Sequence, residues 1–297
     1  MDLGFDFFLR FGQNGRMAKI KEESSKPGLF ERLAPILLVV SIGLAFMVGV
    51  LWQKVSNLEK GGVATTAAGA KPAQPNPTIS LDTVKDLFSK DLVKFGDANR
   101  KVLFVEVADP SCPFCHAAAG KDPELSAAMG DTFKLVSQGG KYVSPVVEMK
   151  KLVDAGKASY VYIYSPGHNN GEMGMKAMLC ANEQGKFWEV HDIMMSEAGY
   201  QIMNGIDAAQ QPTKGPIVKN DKTKSGDLAT FLKSAIDPNF LKTCLDSGKY
   251  DARLASDTAL ATQLGTSGTP FFAVNATTFP GAYNYTDMKS VVDAALK

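Results

Sequence analysis

Net charge, cysteine, histidine and tryptophan are all in short supply in this chain. Its 297 residues hold four cysteines, three histidines and two tryptophans, and 32 Lys and Arg stand against 31 Asp and Glu. Each scarcity excludes something. Four cysteines are too few for a small scaffold stapled by disulfides. A net charge of +1 gives no reason to expect nucleic acid as a partner. Internal repeats are absent, and no Gly- or Pro-rich period suggests a collagen-like or low-complexity chain. Two local absences say more. No cysteine precedes residue 112, and no charged residue falls within 33–52.

The uncharged run reads LAPILLVVSIGLAFMVGVLW. At 1.5 Å per residue, twenty residues cross a hydrocarbon core of about 30 Å. A buried soluble helix this long and apolar on every face is the uncommon alternative. Trp52 falls where an interfacial aromatic belongs. Arg10, Arg16, Lys19, Lys21, Lys26 and Arg32 precede the run, while Lys54, Lys60 and Lys71 follow it, so the N-terminus is predicted to be cytoplasmic. Ala68-Gly69-Ala70 has the form of a signal-peptide cleavage site but lies too far beyond the run. The reading is a cytoplasmic segment (1–32), one transmembrane helix (33–52), a flexible linker (53–77) and a domain outside the cytoplasmic membrane, periplasmic or at the cell surface (78–297). Residues 61–77 hold three prolines, one charge and no aromatic, which gives a coil-like reach of roughly 20–25 Å.

Cys112, Cys115, Cys180 and Cys244 all follow the span, in a compartment where disulfides persist. Apolar runs predict strands over 102–107, 157–164 and 269–274. Helices are predicted from Cys112 onward and over 173–195, 227–236, 239–245, 251–264 and 286–295, with Asp237 capping and Pro238 in the first turn of the third of these later ones. Strand, helix, strand, a block of helices, strand, helix is an α/β order with a helical insertion at about 166–255.

Chemistry concentrates at Cys112-Pro113-Phe114-Cys115. Two residues between cysteines in a first helical turn bring the sulfurs within bonding range. At a helix N-terminus the first sulfur favours its thiolate, the nucleophilic form. Cys112 is therefore the expected nucleophile and Cys115, one turn deeper, the resolving thiol of an exchange that passes through a mixed disulfide. Other readings stay open on the motif alone. Cys-Pro-Phe-Cys-His matches c-type haem attachment, with His116 as axial ligand; a zinc site lacks a second close-spaced pair; and a purely structural bridge would close a loop too short to add much stability.

Three stretches in order, VLFVEVADPSCPFCH, ANEQGKFWEVHDIM and LGTSGTPFFAVN, resemble the DsbA-like thiol-disulfide oxidoreductases of the thioredoxin superfamily over about residues 78–297. The resemblance implies a thioredoxin fold interrupted by a helical domain. It also implies a cis bond at Thr269-Pro270 beside the redox pair, where Thr269, Pro270, Pro113 and Phe114 would meet substrate, and a role for Glu106 as a buried acid exchanging protons with Cys115. From the residues alone, Glu106 is equally an exposed strand residue. The chain departs from the family pattern in having 41 residues between Cys115 and the strand at Lys157. The excess, about 131–145, is expected as a hairpin or loop beside the site.

If Cys112 pairs with Cys115, Cys180 is left with Cys244 as its intramolecular partner; the alternative is two buried free thiols. Six methionines between Met173 and Met203 are expected mainly as core, with a polypeptide-binding surface as the other reading. His168 and His191 are read as structural. The expectation is thus a monomeric, membrane-tethered oxidoreductase that donates its disulfide to unfolded or reduced proteins. It would need no cofactor or metal, and the family implies recycling by a quinone-linked membrane oxidase. An isomerase or reductase of the same fold, a haem electron carrier and a redox-inactive polypeptide-binding module are the rivals.

Overall fold

The computed structural model describes residues 79–297. The expected cytoplasmic segment, membrane span and linker lie outside the described residues. Among the described residues no helix is long and apolar enough to cross a membrane.

The elements are α1 (Leu81–Leu87), β1 (Val93–Phe95), β2 (Val102–Ala108), α2 (Pro113–Ala119), α3 (Pro123–Ala128), α4 (Pro145–Asp154), β3 (Ala158–Tyr164), α5 (Glu172–Glu183), α6 (Phe187–Met194), α7 (Glu197–Asn204), α8 (Ser225–Phe231), α9 (Pro238–Asp246), α10 (Asp251–Gln263), β4 (Phe271–Val274), β5 (Thr277–Pro280) and α11 (Tyr285–Leu296). The five strands form one mixed sheet in the order β1-β3-β2-β4-β5. Only β2 and β3 run parallel, Glu106 lying opposite Tyr162; β4 pairs antiparallel to β2, with Glu106 opposite Phe272.

Every residue of β2 and β3 is buried, because both faces of the sheet are covered. A strand buried on both sides loses the alternation of a half-exposed one and reads as a continuous apolar run. The alternation survives as a division between two layers. Leu103, Val105, Val107, Val161 and Ile163 pack with Val84 and Leu87 of α1 and Ala261 of α10. Phe104, Ala108, Tyr160, Tyr162 and Tyr164 pack on the opposite face with Cys112, Cys115 and the helical insertion. Each large apolar side chain so buried contributes about 1.5–3 kcal/mol. By the same alternation, Glu106 faces the second layer, beneath α2.

Local chemistry sets the ends of the helices. Pro113 and Pro145 occupy the first turns of α2 and α4, where a missing N–H leaves nothing unsatisfied. Asp237 caps α9 by accepting from the Phe240 N–H. Gly120 ends α2 at φ +67°, and a Cβ there would come 2.3 Å from Ser144 Oγ, so only glycine fits both the turn and the space. The single helix expected over 173–195 is two, α5 and α6, broken at Gly185 with φ +67°. Helices α5 to α9 form the insertion, and a disulfide from Cys180 to Cys244 joins α5 to α9 with Cα atoms 6.1 Å apart. All six methionines from Met173 to Met203 are buried, so they are core and form no binding surface.

Candidate active site

At the end of β2 the chain turns through Asp109, Pro110 and Ser111 into Cys112, the N-cap of α2. The Cys112 carbonyl accepts from the N–H groups of Cys115, at 3.0 Å, and His116, at 3.2 Å. Cys112 and Cys115 are free, buried thiols. The Cys112 thiol donates to the Thr269 carbonyl oxygen, 3.3 Å away, and the Asp109 N–H donates to Cys115 Sγ at 3.5 Å. The Thr269-Pro270 peptide is cis, with Pro270 buried and its carbonyl held by the Gly281 N–H at 2.8 Å. Strand β4 pairs with β2, and this pairing brings residue 269 to residue 112.

The two thiols differ in acidity. Cys112 is pulled down to about 5, chiefly by a hydrogen bond from Cys115; burial opposes this, and His168 and Thr269 add to it. Cys115 is pushed well above the ordinary thiol range by burial and by the charge that Cys112 carries. Glu106 is fully buried, and desolvation raises its carboxyl to about 8. The Tyr160 hydroxyl donates to Glu106 Oε2, while Oε1 has no partner. Glu106 is therefore interior, and the exposed alternative fails.

Pro113 is half-buried. Phe114 is 41% exposed and its ring meets Phe133 edge-on at 5.5 Å, with Phe133 in turn 5.5 Å from Tyr142. The segment expected as a hairpin or loop is a loop with a 3-10 turn at Val136–Gln138. The Tyr142 hydroxyl ties it to the carbonyl of Ala282 at 3.3 Å. An aromatic platform therefore stands next to the redox pair.

The haem reading loses its ligand. His116 is buried, its Nε2 lies 2.9 Å from the Pro110 carbonyl and its Nδ1 faces Asp122 at 3.7 Å, so both ring nitrogens point at protein groups.

The thioredoxin family model matches residues 145–294, just over half of the chain. The chain belongs to the thioredoxin family. The matched stretch runs from α4 through Thr269-Pro270 into α11; Cys112 and Cys115 precede it. Among curated proteins, the chain is similar to the Na(+)/H(+) antiporter NhaA 3 of Salinispora tropica, 23% identical over 263 residues that cover 87% of this chain and 32% of the relative. It is 21% identical to NhaA 1 of Salinispora arenicola over the same shares. The chain thus spans about a third of the length of these relatives. Solved structures similar to it include a thioredoxin-like oxidoreductase from Silicibacter pomeroyi (23% identity, TM-score 0.46, covering 72% of this chain and 96% of that one). Oxidised BdbD from Bacillus subtilis (16%, 0.47, 75% and 97%) and the thiol-disulfide exchange protein alpha-DsbA2 from Wolbachia pipientis (18%, 0.47, 72% and 92%) are others.

For a thioredoxin-family chain with these thiols, pH should act on the reduced form. Cys112 titrates near 5 when folded and near the ordinary thiol value of about 8.5 when unfolded. A group depressed by folding contributes stability that is present above its unfolded value and lost as pH falls through its folded one. Between pH 7 and pH 5 the reduced protein is expected to lose about 2 kcal/mol more than the oxidised protein, in which Cys112 does not titrate. Urea unfolding of both forms at the two pH values checks this, and equal losses would contradict it.

His168, expected to be structural, follows Gly167, where a Cβ would stand 3.5 Å from Cys112 Cβ. His168 lies on the exposed loop after β3, and hydrogen bonding to Cys112 raises its proton affinity. The sequence held a signal for it: parallel neighbouring strands end at the same edge of a sheet, so the loop after β3 must lie beside the loop after β2 that carries Cys112.

Proposed function

We propose that this protein is a thiol-disulfide oxidoreductase that donates a Cys112–Cys115 disulfide to reduced proteins outside the cytoplasmic membrane. One observation carries the reading: of two adjacent thiols, Cys112 is stabilised as thiolate and Cys115 as thiol. A substrate thiolate attacks the Cys112 sulfur of the disulfide, and Cys115 leaves and is protonated. A second substrate thiolate then attacks the substrate sulfur of the mixed disulfide and releases Cys112 as thiolate. The substrate loses two electrons and the redox pair gains them. A stabilised Cys112 thiolate is a good leaving group, which favours the donor direction. Glu106, protonated near neutral pH, is suited to give a proton to Cys115 as it leaves. Thr269 presents backbone for strand-like pairing with the substrate segment, next to Phe114.

The apolar run at 33–52 supports a single-pass membrane tether with the N-terminus cytoplasmic. The Cys180–Cys244 disulfide suits an oxidising compartment. On this reading the protein acts as a monomer without a bound cofactor, and a quinone-linked membrane oxidase restores its disulfide. Equilibration with glutathione tests the direction. The expected potential lies nearer the DsbA value of about −120 mV than the thioredoxin value of about −270 mV. A value near −270 mV would make the protein a reductase.

A further inference from the structure

Pro113 and Phe114, the residues between the two cysteines, carry no titratable group. The groups that act on the Cys112 sulfur are Cys115 from α2, His168 from the loop after β3, and Thr269 from the approach to β4. Of these, only His168 can become a cation. Its position is built in several steps. Asp109, buried at the end of β2, spends one carboxylate oxygen on its own turn, accepting from the Ser111 N–H and hydroxyl at 2.8 Å each. With the other it accepts from the backbone N–H groups of Gly167, at 2.7 Å, and His168, at 2.9 Å. Ser111 Oγ accepts from the Asn170 N–H at 3.3 Å. Asn204 of α7 closes the frame, donating to the Ser111 carbonyl at 3.1 Å and accepting from Asn170 Nδ2 at 3.2 Å. Gly167 lies so close that a Cβ would stand 2.0 Å from Thr269 Oγ1 and 3.5 Å from Cys112 Cβ. The loop is therefore fastened to the redox turn on both sides of His168, with no room for a side chain between them.

We propose that His168 is a catalytic residue whose imidazolium donates a hydrogen bond to the Cys112 sulfur when that sulfur is a thiolate, and that Asp109 is the positioning residue that holds it there. The proposal rests on the disulfide-exchange reading above. The contact has its charge only in the reduced state, since a sulfur in a disulfide carries none. It therefore favours reduced protein over oxidised, and it acts in the transition state as Cys112 becomes a leaving group. The imidazolium keeps its proton throughout. Besides Cys112, the charged group that faces His168 is the Asp109 carboxylate, which also favours the protonated ring.

The test uses the full-length protein, with two readouts: the ultraviolet absorbance of the thiolate as a function of pH, and the equilibrium with glutathione. His168→Ala is expected to raise the midpoint of thiolate formation. It is also expected to lower the equilibrium constant for oxidising glutathione about tenfold, equivalent to about 30 mV for a two-electron couple. His168→Lys, which keeps a cation on the loop, should recover most of both. Asp109→Ala should move both in the same direction as His168→Ala, and no movement would remove its positioning role. A wild-type protein that exchanges disulfides with glutathione, alongside a His168→Ala variant with unchanged midpoint and constant, would overturn the proposal. If the wild type does not exchange at all, the redox reading falls. The thiolate titration alone still decides the His168 contact, and His168 is exposed enough that its substitution leaves the fold in place.

Discussion

Replacing Cys112 with serine is expected to abolish disulfide exchange, whereas replacing Cys115 with serine should leave a reactive thiol that accumulates as a mixed disulfide with substrate. The difference follows from acidity. A thiol titrating near 5 is almost entirely thiolate at neutral pH, and the thiolate is the attacking and leaving form. Cys115, fully buried and raised well above the ordinary thiol range, has less than about one part in a hundred as thiolate under the same conditions. With Cys112 removed, the rate of alkylation by a small reagent should fall at least about a hundredfold. With serine in place of Cys115, a hydroxyl is still there to donate to the Cys112 thiolate, which stays reactive, but the mixed disulfide has no internal thiol to resolve it. Alkylation kinetics and non-reducing electrophoresis against a reduced, unfolded substrate measure both outcomes. A Cys112→Ser variant that retained the reactivity of the wild type would reverse the assigned roles.

Removing the second bridge, by Cys180→Ala with Cys244→Ala, is expected to cost about 4 kcal/mol of folding stability in the chain-entropy model, since it closes a loop with a sequence separation of 64. Both cysteines are buried, so the vacated space adds to the loss. The bridge joins α5 to α9 within the helical insertion. The glutathione equilibrium of the Cys112–Cys115 pair should therefore stay at its wild-type value while the urea midpoint falls. A loss below about 1 kcal/mol would mean the insertion holds together without its brace.

What could be read from the sequence was whatever a short stretch determines by itself. The redox turn was legible because strand, turn, Cys112, Pro113 and Cys115 all fall within residues 102–115. Strands β2, β3 and β4 were legible because burial on both faces made them continuous apolar runs. Strand β1 spans three residues, and β5 reads Thr-Thr-Phe-Pro at the sheet edge; neither offers enough period to register. Helix α7 follows a Ser196 cap that accepts from the Gly199 N–H, a signal that the run of methionines before it obscured. Glu106 was ambiguous for a different reason. Alternation says which face a residue takes but not whether that face is covered, and α2 and the insertion are what cover it. His168 stands 56 positions from Cys112, so the topology of the parallel pair was needed before the two could be joined.

The contact between Cys112 and the Thr269 carbonyl joins residues 157 positions apart, and the strand that delivers Thr269 is among the last elements of the chain. Pairings this distant in sequence carry a high loop-closure cost and form late. Until β4 docks against β2, Cys112 lacks the contribution of Thr269 to its acidity, whereas that of Cys115, three residues away on α2, needs no distant pairing. The acidity of Cys112 is therefore expected to be built in two steps, a local one with α2 and a later one when the last strands have found their places.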